Sequence, residues 1–151
     1  MLKRALSRFK KTGLPPGSLV HVGERRVDKV AIDIMNYSET DLEERTGATV
    51  EEVESFIAKQ GVAWVNVSGL HDLDAIQKIG EAFGLHPLTM EDVVNTDHRA
   101  KLELYDNYLF MVFKAIRYAE GEKEIHSEHV GLVLNSGSVL VFRCTTCISP
   151  S

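Results

Sequence analysis

Glu91, Asp92, Asn95, Asp97, His98 and Arg99 gather oxygen and nitrogen donors into nine consecutive positions of this chain. Adjacent carboxylates repel each other, and a divalent cation relieves that repulsion. Mg2+ suits such a pair, because it is a hard ion that prefers oxygen, keeps several waters and takes only one or two protein carboxylates. Glu91 and Asp92 are therefore the candidate metal ligands. The residues by themselves admit a plainer account, in which two acids decorate an early helix turn and favour its dipole. A metal hydrolase using Glu91, Asp92, Asp97 and His98 is a third option. A catalytic zinc wants two or three histidines at fixed spacing, however, and His-x-x-x-His is absent.

Other enzyme chemistry finds little support. There is no Gly-x-Ser-x-Gly elbow for an activated serine, and no Gly-x-Gly-x-x-Gly or Walker loop to cradle a phosphate. His126 and His129 are three apart on an expected strand, so they point to opposite faces and cannot chelate together. Cys144 and Cys147 form a lone Cys-x-x-Cys in the last eight residues, without the four ligands of a zinc site or the strand-to-helix setting of a redox pair.

The acidic pair needs a helix to present it. Gly84 suits the left-handed end of a preceding helix, and Pro87 suits the first position of a new one. Leu88, Met90, Val93 and Val94 then face a core, which leaves Glu91 and Asp92 on or near the outer face. Before this helix, Leu19–Val22 and Val30–Met35 read as short strands, and Asp41–Arg45 as a helical turn. Thr49 and Glu52 form a capping box for a helix running to about Lys59, with Val50, Val53, Phe56 and Ile57 on its apolar face. Val62–Val67 reads as a central strand with Trp64 in the core. Asp72 caps a helix striped by Leu73, Ile76, Ile79 and Phe83. After the acidic helix come Leu102–Ile116, broken near Asp106-Asn107, then Glu124–Leu134 and Ser138–Arg143, an antiparallel meander with turns at 120–122 and 135–137. The unbroken apolar run 108–113 predicts helices on both faces of the sheet. The fold class is α/β: a mixed sheet sandwiched between helices.

At 151 residues with 44% hydrophobic and 26% charged content, the chain fits one ordinary globular domain. Nothing is apolar for the ~20 residues needed to cross a bilayer, so the chain as given is expected to be soluble and cytosolic. The net charge of −5 hides five basic residues and no acid in positions 1–11; the remainder holds 12 basic against 22 acidic residues, a net of −10. Such a body repels phosphate backbones, so no nucleic-acid partner is expected.

The runs Leu85-His86-Pro87-Leu88, Glu91-Asp92-Val93, Asn95-Thr96-Asp97 and Lys101 resemble the cytoplasmic domain of CorA-type magnesium transporters. So do Gly13-Leu14-Pro15-Pro16-Gly17, Leu19-Val20-His21-Val22-Gly23 and Trp64-Val65-Asn66-Val67-Ser68-Gly69-Leu70-His71 upstream, and Tyr108-Leu109-Phe110 and Ser127-Glu128-His129-Val130 downstream. The resemblance covers residues 13–143 in order, flanked by a basic arm at 1–12 and an atypical tail at 144–151, which reads as a truncation, frame or cloning artefact.

The resemblance implies a regulatory module without enzymatic activity. In that family the cytoplasmic domains form a pentameric funnel, and divalent ions between neighbouring protomers hold the pore closed. This carries a regulatory Mg2+ onto Glu91 and Asp92, more firmly onto Asp92. It also implies self-association, a stalk helix and two membrane spans that this chain lacks, and a place on the cytoplasmic face of the inner membrane. A zinc-transporting member of the superfamily, or a free-standing divalent-metal-binding module, would share the fold. Two departures stand out. Asp97-His98-Arg99-Ala100 lacks the usual proline, and Ser127-Glu128-His129-Val130 has histidine for the usual glutamine, a swap that adds pH dependence or is simply tolerated.

Overall fold

In the computed structural model, residues 14–20, 30–119 and 124–144 are described. The expected basic arm, the strand portion 21–22, the turn at 120–122 and the tail beyond Cys144 lie outside them. The described chain forms strands β1 (Ala31–Tyr37) and β2 (Leu42–Arg45), helix α1 (Val50–Ile57), strand β3 (Val62–Ser68), helices α2 (Leu73–Ala82) and α3 (Pro87–Val94), and strands β4 (Lys101–Leu104), β5 (Leu109–Ala119), β6 (Glu124–Leu134) and β7 (Ser138–Cys144). The strands make one sheet in the order β2-β1-β3-β7-β6-β5-β4. It is mixed: β3 and β7 run parallel, and the other pairs are antiparallel. The expected α/β class and the C-terminal meander are both present.

Local chemistry accounts for the elements. Thr49 Oγ1 accepts from the Glu52 amide while the Glu52 carboxylate accepts from the Thr49 amide, a capping box worth about 1 kcal/mol. Asp72 caps α2 through the Ala75 amide at 3.1 Å. Gly84 takes φ +64, and the bonds Gly84 N–H to Glu81 and Leu85 N–H to Gly80 close a Schellman motif. The chain thus turns sharply into α3, which starts on Pro87.

Alternation decides what the sheet buries. Ile32 and Ile34 of β1, Val65 and Val67 of β3, Leu140 and Phe142 of β7, Val133 of β6, and Phe110 and Val112 of β5 join Val53, Phe56, Ile76, Ile79, Met90, Val93 and Val94 of the helices in one core. The strand registers place all of those strand residues on one face, so the three described helices pack on that face. A helical layer over the other face, expected from the apolar run, is not among the described residues.

Three readings need correction. Trp64 alternates away from the helices and is 41% exposed, not core. Residues 41–45 do not form a helical turn: Leu42–Arg45 pairs with Ile34–Tyr37. Ladder hydrogen bonds outweigh the modest helix preference of Leu-Glu-Glu-Arg, and Arg45 and Glu43 reach ion partners Glu52 and Lys59 on and beside α1. Leu19 and Val20 are irregular rather than extended into a strand.

Candidate functional site around the acidic helix

Helix α3 lies on the sheet where the sheet is thinnest. Gly131 of β6 has no side chain at that point, and a Cβ there would come within 3.3 Å of Val93 Cγ2. Val93 and Val94 are fully buried against the strands. Thr89 is buried as well, its hydroxyl 2.9 Å from the Tyr108 hydroxyl, which also accepts from the His86 amide at 3.1 Å. Leu88, expected in the core, is 44% exposed. With one turn per 3.6 residues, burial of positions 89, 90, 93 and 94 necessarily turns position 88 outward.

The far end of α3 is tied down by two strand residues on the helix-covered face. His129 of β6 is fully buried, with Nε2 3.1 Å from the Val93 carbonyl oxygen. Lys114 of β5, paired across the ladder with His129, donates to the Thr96 carbonyl, and its Nζ lies 3.4 Å from His129 Nδ1. Burial, reinforced by the Lys114 charge, lowers the His129 pKa to about 4. An ammonium at a helix C-terminus is favourable in its own right.

The two acids diverge. Consecutive helical positions are about 100° apart, and Glu91 and Asp92 use that angle to serve different partners. Glu91 Oε2 accepts from the Gly17 amide at 2.9 Å, holding the Pro-Pro-Gly segment onto the start of α3. Asp92 faces the loop after α3. Its Oδ2 is 2.5 Å from Lys101 Nζ, and its Oδ1 is 3.0 Å from His98 Nε2. Lys101 Nζ is also 2.9 Å from Glu103 Oε1 and 5.6 Å from the centre of the Phe110 ring. Burial pulls the Lys101 ammonium down, and its hydrogen bonds to Asp92 and Glu103 outweigh that, so its pKa is raised. The Lys101 hydrogen bond in turn holds Glu103 below the usual carboxylate range.

Of the expected site residues, the fold thus brings Asp92 and His98 together, with Lys101 beside them, and sends Glu91 elsewhere. Asp97 and Arg99 are exposed and Asn95 half-buried, with the Asn95 amide donating to the Asp92 carbonyl at the helix end. Among the described residues, no group of three or more His, Cys, Asp or Glu is placed to hold a metal. Sequence reasoning missed Lys101 and Glu103 as members of this cluster. Their i, i+2 spacing on a strand was the available signal, because it places both on one face.

Comparison with known proteins supplies the family context. A family profile described as "CorA-like Mg2+ transporter protein" matches residues 59–147. The chain is 41% identical over 133 residues to the cobalt/magnesium transport protein CorA of Thermotoga maritima, covering 88% of this chain and 38% of that protein. Its fold is similar to the complete CorA magnesium transporter of Methanocaldococcus jannaschii, with a TM-score of 0.51 at 9% identity over 77% of this chain and 32% of that one. It is also similar to the full-length CmaX protein, with a TM-score of 0.54 at 14% identity over 82% and 37%. The chain therefore spans well under half the length of each of these proteins. No helix among the described residues is long and apolar enough to cross a membrane.

Proposed function

The chain belongs to the CorA-like Mg2+ transporter family, and from that premise we propose that it is the cytoplasmic regulatory part of a longer divalent-cation transporter. The observation that carries this reading is the 41% identity to a cobalt/magnesium transport protein across 88% of the chain. On this reading the domain conducts no ions itself. It senses Mg2+ and couples occupancy to packing between subunits in a pentamer on the cytoplasmic face of the membrane, through stalk and membrane helices outside this chain.

The donor chemistry fits the ion at Asp92. Mg2+ requires few protein carboxylates and retains water, and the Asp92 side chain, 16% exposed, reaches the surface beside the 95–100 loop. Glu91, which the same reading assigns to the ion, supplies a second negative charge at the adjacent position, although its Oε2 serves Gly17. Bound Mg2+ would neutralise these acids and favour the closed assembly; its loss would favour the open one, a shift set by the ion's differential affinity for the two states.

The test is Asp92→Asn in the full-length transporter, read by ion flux at rising internal Mg2+. The substitution is expected to weaken magnesium inhibition. Inhibition identical to the wild type would remove Asp92 from the sensor.

A further inference from the structure

We propose that Lys101 is an internal counter-ion that competes with a divalent cation for Asp92 and so sets the ion concentration at which the site fills. The proposal rests on the reading of Asp92 as a ligand and adds the group that opposes it.

Asp92 Oδ2 is engaged by Lys101 at 2.5 Å, and Oδ1 lies 3.0 Å from His98 Nε2. A cation that takes both Asp92 oxygens must displace Lys101. Two features let Lys101 yield. Its ammonium already bridges to a second carboxylate, Glu103 Oε1, at 2.9 Å, so leaving Asp92 does not strand a bare charge. It also lies on the four-residue β4, where Lys101 and Glu103 share a face and pair with Val112 and Phe110 of β5. Moving from a shared position to Glu103 alone therefore needs only a side-chain rotation.

His98 Nδ1 lies 2.9 Å from the Arg99 carbonyl oxygen, which only accepts, so the proton sits on Nδ1 and Nε2 donates to Asp92 only when the ring is an imidazolium. The partly buried setting, with Lys101 and Asp92 side chains 23% and 16% exposed, keeps the ammonium from being screened as a fully solvated one is. A lysine charge held there lowers the local affinity for any cation, and a divalent ion overcomes it by its doubled charge. The consequence is a threshold: the site stays closed by its own lysine until Mg2+ is abundant.

The experiment is calorimetric titration of the purified full-length transporter with MgCl2 at low ionic strength. Wild type, Lys101→Met, Lys101→Arg, Asp92→Asn and the Lys101→Met/Asp92→Asn double variant are compared. Methionine keeps the apolar stem near Phe110 and removes the charge. The expected result is Mg2+ binding about five- to tenfold tighter in Lys101→Met, unchanged in Lys101→Arg, and abolished wherever Asp92→Asn is present. Binding abolished by Asp92→Asn yet no tighter in Lys101→Met would overturn the counter-ion role and leave Asp92 as a ligand. An absence of Asp92-dependent binding in both wild type and Lys101→Met would overturn both. If circular dichroism shows Lys101→Met unfolded, the wild-type Lys101 ammonium is followed by nitrogen-15 resonance during the MgCl2 titration. A shift that Asp92→Asn eliminates supports the displacement, and a signal unmoved while Mg2+ binds at Asp92 overturns it.

Discussion

His129 Nε2 lies 3.1 Å from the carbonyl oxygen of Val93, so a fully buried imidazole on β6 closes the end of the acidic helix. A carbonyl only accepts, which assigns the proton to Nε2 and leaves Nδ1 to accept from Lys114. The neutral ring satisfies both neighbours. A charged ring would turn Nδ1 into a donor facing the Lys114 ammonium.

That arrangement makes a prediction about acid stability. The His129 pKa is lowered to about 4 in the folded chain from about 6.5 when unfolded. Above pH 6.5 both states carry a neutral ring and the group adds no pH dependence. As pH falls from 6.5 towards 4, the unfolded state takes up a proton that the folded state refuses, so stability is lost across that window. The loss is of order 3 kcal/mol if the whole shift is realised. His129→Gln, which keeps a donor for Val93, should therefore lose less stability than wild type between pH 7.5 and 4.5 in urea melts. Parallel losses in the two proteins would mean that His129 is not the acid-sensitive group.

Trp64 is the single tryptophan and lies on the sheet face away from the described helices, 41% exposed. Its fluorescence should be quenched readily by iodide in the folded chain. Replacing a buried tryptophan by a small residue typically costs 3–5 kcal/mol, whereas Trp64→Ser should cost under about 1.5 kcal/mol. Shielded emission together with a loss in the buried range would show that this face is covered in the chain as it stands.

The residues that give these contrasts also show what could be read in the sequence. Thr49-Glu52, Asp72, Gly84 and Pro87 act within a few positions of themselves, so the starts of all three helices and the end of α2 were legible. So was the meander, whose turns carry their own signals. Trp64 was misread because an apolar run tells how central a strand is, not which side the helices take. The 42–45 strand was misread because its partner, Ile34–Tyr37, decides it through the ladder. On the acidic helix, the sequence displays Glu91 and Asp92 as adjacent acids, but their divergence follows from helical geometry and from partners 74 and 9 positions away. Lys114 and His129 reach the helix end only through the β5–β6 register, which no local pattern displays.

Gly17 carries the last prediction. Its φ of +83 lies where residues with side chains are strained, and a Cβ there would stand 2.9 Å from Pro87 Cβ. The close approach lets its amide reach Glu91 Oε2 at 2.9 Å, so the 14–20 segment is held by a glycine and a carboxylate together. Gly17→Ala pays both backbone strain and the clash with a rigid proline ring, in total about 1–3 kcal/mol. A short segment can detach without unfolding the sheet, so the loss should appear first as local opening. Hydrogen exchange at Ser18, Leu19 and Val20 should quicken by at least about tenfold in Gly17→Ala, since 1.4 kcal/mol is a factor of ten. Glu91→Gln, which weakens the acceptor but keeps the shape, should quicken it less. If alanine leaves exchange at those amides unchanged, Gly17 does not clasp the segment to α3.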